Sequence, residues 1–126
     1  MSDAPELPAD MPVHRIGGRQ LENLRLKPVE ERTEPPGFSV LLGGTPQEAA
    51  ATMRAAYRKA TRLREAAKIV ASTTVGHIRA AGFDVIADES NRLRNHGRVI
   101  HPAGVTAFSD ENLVELGKVF QDTTGC

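Results

Sequence analysis

The stretch 36-PGFSVLLGGTPQEAAATMRAAY-57 joins a strand pattern directly to a helix pattern. "FSVLL" is a compact apolar run that ends at a pair of glycines, which is typical of a strand followed by a turn. In "TPQE", Thr45 is placed to cap a helix, Pro46 takes the first helical position, and Glu48 is placed to reach back to the cap amide. The stretch therefore predicts a strand followed by a helix that runs to about Lys59.

Two further strands are predicted on the N-terminal side of this stretch. In "PVHRIGG" (12–18), two apolar residues flank His14 and Arg15, and a glycine pair ends the run. "LENLRLKP" (21–28) alternates leucines with basic residues, which is typical of a half-buried strand. "VEERTEPPG" (29–37) is predicted to be a charged loop that ends near two prolines.

The middle of the chain is predicted to be helical. "TRLREAAKIVAS" (61–72) continues the helical pattern, with an apolar stripe along one face. A third helix is expected over "VGHIRAAG" (75–82), capped by Thr73 or Thr74 and closed by Gly82 in the left-handed conformation.

The last third of the chain returns to strands and then closes on a helix. "FDVIA" (83–87) and "GRVIH" (97–101) are predicted strands, and "SDENLVELGKVF" (109–120) is a predicted helix capped by Ser109. This order favours an α+β domain with a small mixed or antiparallel sheet shared by early and late strands, a helical middle segment and a closing C-terminal helix. Because strands and helices do not alternate regularly, a doubly wound nucleotide-binding fold is disfavoured.

Length and composition indicate one small domain. The chain has 126 residues, enough for one hydrophobic core, and residues 1–12 are predicted to be a disordered leader before a single domain over 13–126. Sixteen basic residues balance sixteen acidic ones. The chain as a whole is therefore not attracted to nucleic acid or anionic lipid.

The cysteine content and the N-terminal sequence favour a cytoplasmic protein. Cys126 is the only cysteine, so the chain cannot form an internal disulfide, which suits a reducing compartment. The N-terminus lacks the pattern of a signal peptide, and no apolar run approaches the roughly 20 residues of a membrane span. We expect no membrane association.

The histidines and the basic residues give two further candidate sites. His96 and His101 are five residues apart, so on a strand they point to opposite faces, and no metal site is expected. The helical middle carries three arginines spaced four residues apart, Arg54, Arg58 and Arg62. They form either a solvated face of the helix or a surface that contacts nucleic acid.

Three stretches of the sequence resemble a known protein family. "VHRIGG" (13–18), followed by "PGFSVLLGG" (36–44), resembles the opening of ADP-ribosyltransferase-like domains. "HGRVIHPAGVTAFSDENLVELGKVF" (96–120) is similar in rhythm to the C-terminal part of small bacterial toxins with that fold, including effectors of the type VI secretion system. The resemblance implies a toxin or effector-like domain that acts in the cytoplasm and binds NAD or a related nucleotide.

The resemblance also implies roles for four residues. Arg15, or alternatively His14, would lie on the first strand against the cofactor, and Ser39 would support that geometry or contact the nicotinamide ribose. His96 would lie at the cleft, with His96 and Arg15 as the catalytic candidates. Such transferases stabilise an oxocarbenium-like centre with a carboxylate on a late strand. "GRVIH" (97–101) carries no glutamate, so the sequence offers no residue for that position.

A second hypothesis is a module that binds proteins without catalysis, such as an antitoxin, an immunity protein or an accessory subunit. The proline-rich leader and the basic face of the helical middle suggest it. Under either hypothesis a protein partner is expected, either a cognate immunity protein or antitoxin, or the target of the toxin. Contact with nucleic acid through Arg54, Arg58 and Arg62 is a further alternative.

Overall fold

A computed structural model describes residues 6–59, 67–88 and 93–124, and within these ranges the chain forms one antiparallel sheet of six strands. In the sheet the strands lie in the order β4-β5-β2-β1-β3-β6. Each neighbouring pair is antiparallel. The strands are β1 (Pro12–Ile16), β2 (Gly37–Leu42), β3 (Ile69–Thr74), β4 (Asp84–Ala87), β5 (His96–Ile100) and β6 (Gln121–Thr124).

Five α-helices and one short 3₁₀ helix accompany the sheet in the described residues. They are α1 (Leu21–Leu24), α2 (Pro28–Arg32), α3 (Pro46–Ala56), α4 (Val75–Ala80) and α5 (Asp110–Gly117), with the 3₁₀ helix at Gly104–Ala107. The predicted α+β class is confirmed, and the early strand β2 pairs with the late strand β5, as expected.

The predicted helix caps are present. The Thr45 hydroxyl accepts a hydrogen bond from the Glu48 amide, and Glu48 accepts one from the Thr45 amide, which completes the capping box of α3. The Thr74 hydroxyl accepts from the His77 amide at the start of α4, and the Ser109 hydroxyl accepts from the Asn112 amide at the start of α5. Gly82 follows α4 with a φ of 94°, a conformation that residues with a Cβ rarely adopt.

Each face of the sheet has its own hydrophobic core. On one face, Val13, Phe38 and Val99 pack with residues of α1, α4 and α5, including Leu113. On the other face, Leu41 and Val70 pack with residues of α3, including Ala49 and Ala50. Directly opposed residues on antiparallel strands share a face, so His14, Leu41 and His96 all lie on the α3 side.

Three local predictions were wrong. Residues 21–24 of the predicted second strand form the short helix α1, because Leu21 and Leu24, one helical turn apart, then both pack against the same core. Residues 28–32 of the predicted loop form α2, with Pro28 at its first position. Residues 69–72 of the predicted helix belong to β3. The rest of that prediction, including Arg62, falls mainly in 60–66, outside the described residues.

Residues 6–11, part of the predicted leader, contact the folded domain. The Val75 and Gly76 amides donate to the Met11 and Ala9 carbonyls, at 3.0 and 2.8 Å, so the segment lies across the start of α4. Leu7 and Met11 also pack against the larger core.

The ladder between β1 and β2 is short, and this feature positions the candidate site. β1 pairs with β3 through five residues but with β2 through only two, Val13 with Leu42 and His14 with Leu41. Beyond these pairs the main chain of β2 at Ser39 bonds to side chains instead. The separation of the two central strands forms one boundary of a cavity.

Candidate functional site: a cavity beside the separated central strands

A cavity of about 630 Å³ lies beside the separated strands, bounded by β1, β2, β5, α3 and the α1–α2 segment. This volume is within the range of small-molecule sites in proteins. Its apolar walls include Ile16, Leu41, Met53 and Leu93. Its polar walls include His14, Arg15, Lys27, Glu30, Ser39, Tyr57 and His96. Thus all four residues selected by the family resemblance line one cavity.

Arg15 is a buried cation at the point where the strands separate. Its side chain donates from Nε and Nη2 to the Asn23 carbonyl, at 3.0 and 2.6 Å, and from Nη1 to the Ser39 carbonyl, at 2.8 Å. The Asn23 carbonyl is available because it lies in the last turn of α1. The guanidinium carbon also lies 5.2 Å from the centre of the Phe38 ring, a cation–π distance.

The charge of Arg15 is only partly compensated. Burial lowers the pKa of the guanidinium, and the Glu30 carboxylate partly offsets this effect. A guanidinium has five N–H groups and remains charged in proteins. Three of these groups are used in the bonds to Asn23 and Ser39, which leaves two without an acceptor in the described part of the chain.

Glu30 is the acidic residue among the described residues that line the cavity. Its carboxylate accepts hydrogen bonds from the Lys27 amide at 2.8 Å and from the Ser39 amide at 3.2 Å. Because the Ser39 carbonyl accepts from Arg15, both main-chain groups of Ser39 on this side bond to side chains. Arg15 and Glu30 therefore take the place of the missing ladder.

His14 has both ring nitrogens bonded to protein groups. Nε2 lies 3.1 and 3.0 Å from the Gly43 and Gly44 carbonyls, so it must carry a proton and donate to them. Nδ1 lies 2.7 Å from the Ser72 hydroxyl and accepts from it when the ring is neutral. Burial lowers the pKa of His14, which favours the neutral ring. His14 thus offers the cavity only the surface of its ring.

His96 has one ring nitrogen bonded. Nδ1 lies 2.7 Å from the Asp88 carbonyl and 3.5 Å from the Asp88 carboxylate. Arg98 forms an ion pair with that carboxylate and donates to the Pro35 carbonyl at 2.9 Å. Within the described residues, Nε2 of His96 has no hydrogen-bond partner.

The remaining candidate residues either lie away from the cavity or fall outside the described residues. His101 packs edge-to-face on Phe83, with ring centres 4.9 Å apart, rather than beside His96. Arg54 and Arg58 lie at or just after the end of α3, whereas Arg62 falls outside the described residues. Across residues 6–59, 67–88 and 93–124, no group of three metal-ligating side chains comes together.

Sequence reasoning missed Glu30, Lys27 and Tyr57 as parts of the site. The first two were assigned to the predicted loop and strand, and Tyr57 was assigned to the predicted helix that begins at Pro46. Pro28 followed by acidic residues is a pattern that indicates a helix start, and it was the available signal for α2. That α2 places Glu30 against Ser39 depends on tertiary packing, which no local pattern contains.

Comparisons with protein-family models, curated proteins and solved structures gave no match. In the described residues, no helix has both the length and the apolar character needed to cross a membrane.

Proposed function

We propose that the cavity binds a small anionic ligand of the nucleotide class, with NAD as the leading candidate. The observation that carries the proposal is the buried guanidinium of Arg15, which lines the cavity and retains two unused N–H groups. The sequence resemblance supplies the wider hypothesis, a cytoplasm-acting bacterial toxin or effector-like domain related to ADP-ribosyltransferases.

The electrostatics of the cavity support an anionic ligand. A buried charge is costly unless it is paired, and the Arg15 side chain bonds to neutral carbonyls, whereas Glu30 bonds to amides. Arg15 and Lys27 leave one positive charge in excess of Glu30 among the described lining residues. A phosphate can accept hydrogen bonds from both unused N–H groups of a guanidinium.

The other walls suit the rest of a nucleotide. Met53, Leu93 and Leu41 provide apolar surface, and Tyr57 provides an aromatic ring against which a base or nicotinamide can pack. Mixed apolar walls with a few polar groups are typical of small-molecule sites.

Glu30 is the residue to which we assign the carboxylate role that the resemblance requires. When the glycosidic bond of NAD breaks, nicotinamide leaves as a neutral molecule and positive charge develops on the ribose. A carboxylate held in place by two amides is preorganised to stabilise that charge. This assignment replaces the late-strand glutamate that the sequence does not contain.

The fluorescence of Tyr57 provides a direct test of binding. The chain has one tyrosine and no tryptophan, so its intrinsic emission comes from a residue that lines the cavity. Titration with NAD or AMP should change this emission with saturation, and calorimetry should give the same dissociation constant. No saturable change and no heat with either nucleotide would contradict the proposal.

Arginine variants identify the group that binds the ligand. Arg15→Met should weaken binding about tenfold or more, since hydrogen bonds to a charged group contribute about 1.5–3 kcal/mol. Arg25→Met is the matched control, because Arg25 is exposed and pairs with Asp110 across α1 and α5. Unchanged affinity in folded Arg15→Met would contradict the proposal. If no nucleotide binds but a pull-down recovers a stable protein complex, the interaction module is favoured instead.

A further inference from the structure

His96 provides a second polar contact point in the cavity. We propose that its Nε2 accepts a hydrogen bond from a hydroxyl group of the ligand, so that the site selects ribonucleotides over deoxynucleotides. This inference rests on the proposed nucleotide function and adds the chemical class of the sugar.

The Asp88 carbonyl fixes which nitrogen of His96 carries the proton. A carbonyl oxygen can only accept a hydrogen bond, so Nδ1 of His96, at 2.7 Å, must donate to it. In the neutral ring Nε2 is then an acceptor on the opposite edge of the imidazole. His96 lines the cavity, whereas Asp88 follows β4 on the far side of β5 from β2. Because the Asp88 carbonyl belongs to the main chain, the tautomer of His96 does not depend on the mobility of another side chain.

Two further contacts hold Asp88 in place. Its amide donates to the His96 carbonyl at 2.8 Å, which extends the pairing of β4 and β5 by one residue. Its carboxylate pairs with Arg98, and Arg98 is attached to the Pro35 carbonyl. Asp88 is therefore a positioning residue for His96, because it orients the ring and fixes its tautomer.

Arg15 and His96 line the same cavity from two different strands, β1 and β5. Arg15 bonds to the main chain at Ser39, and His96 lies opposite Leu41, two residues further along β2. A ribonucleotide that occupies this cavity can therefore place its phosphate on Arg15 and a ring hydroxyl on Nε2 of His96.

A comparison of AMP with its 2′-deoxy and 3′-deoxy forms tests the inference at pH 8. We expect at least one deoxy form to bind the unmodified protein about tenfold more weakly than AMP, since that form covers Nε2 of His96 without donating a hydrogen bond to it. His96→Leu should weaken AMP binding to the level of that deoxy form and remove the difference. His77→Leu, at an exposed position on α4, is the matched control and should keep the difference.

The outcomes separate this inference from the proposed function. Equal binding of all three nucleotides by the unmodified protein, or continued discrimination by His96→Leu, overturns the hydroxyl contact and leaves the nucleotide function standing. Failure of AMP alone to bind also overturns it. Failure of both AMP and NAD overturns the proposed function as well.

The ring nitrogens of His96 give a second test, which does not depend on a variant that folds. Long-range ¹H–¹⁵N spectra of the unliganded protein should show the neutral ring with its proton on Nδ1. A proton on Nε2 in the neutral ring would overturn the inference. On addition of AMP the Nε2 resonance should shift as it accepts a hydrogen bond, and an unchanged resonance at saturation would contradict the proposed contact.

Discussion

His14 shows how a single side chain joins three parts of the molecule. Only 1% of the residue is exposed, and its ring connects β1 to Ser72 on β3 and to the glycine turn that precedes α3. The neutral ring donates from Nε2 and accepts at Nδ1, whereas the charged ring can only donate. A histidine of this kind supports a wall of the cavity without binding the ligand through its nitrogens.

The lowered pKa of His14 predicts a loss of stability in acid. The unfolded ring takes up a proton as the pH falls below its ordinary value of 6.5, whereas burial keeps the folded ring neutral. The unfolded state then binds more protons, so this contribution to stability is complete above pH 6.5 and declines below it. The decline is at most about 1.4 kcal/mol per pH unit.

Urea denaturation from pH 5 to pH 8 measures this effect. His14→Gln has no proton to gain, so the free energy of unfolding should depend less on pH in the variant than in the unmodified protein below pH 6.5. His77→Gln changes an exposed histidine and should keep the dependence of the unmodified protein. Identical pH dependence in His14→Gln and the unmodified protein would show that His14 does not contribute.

At the scale of elements, the strands and helices with strong local signals were predicted correctly. β2 and α3 combine an apolar run, a glycine turn and a capping box, and all of these signals agree. β3 was wrongly predicted to be helical because the alanine-rich stretch before it suits a helix. The β-branched residues Ile69, Val70, Thr73 and Thr74 favour a strand, and pairing with both β1 and β6 satisfies their main chain.

β6 was not predicted because "QDTT" has no apolar periodicity. It is an exposed edge strand, and its pairing with β3 is a tertiary event that no local pattern contains. The candidate site divides in the same way. Arg15 and Ser39 lie on strands that the sequence predicts, and His96 directly precedes the predicted strand 97–101. Glu30 reaches the cavity only because α2 packs beside β2.

The capping box of α3 gives a prediction about the helix that carries Met53 and ends directly before Tyr57. Thr45→Ala removes the hydroxyl that accepts from the Glu48 amide at 3.1 Å, and this should lower the free energy of unfolding by about 1 kcal/mol. Thr45→Ser keeps a capping hydroxyl and should remain close to the unmodified protein. Chemical denaturation measures both changes, and equal stability of the two variants would contradict the role of the cap.

At the scale of the whole molecule, the cavity exists because the sheet is incomplete at its centre. Leaving the main chain of Ser39 unpaired would cost about 1–3 kcal/mol for each buried group. Arg15 and Glu30 remove that cost by bonding to its carbonyl and amide. The same two side chains give the cavity its charge, so the features that stabilise the opening in the sheet also determine which ligands it suits.

Arg15 and Glu30 should therefore behave as one energetic unit. Arg15→Met leaves the Ser39 and Asn23 carbonyls without their donor, and Glu30→Gln removes the charge that partly offsets the buried guanidinium. Each single change should destabilise the fold, and the double variant should lose about 1 kcal/mol less than the two single losses combined, within the range expected of coupled neighbours. Urea denaturation of the four proteins in this cycle measures the coupling. Losses that add to within about 0.3 kcal/mol would mean that the two side chains stabilise the separated strands independently.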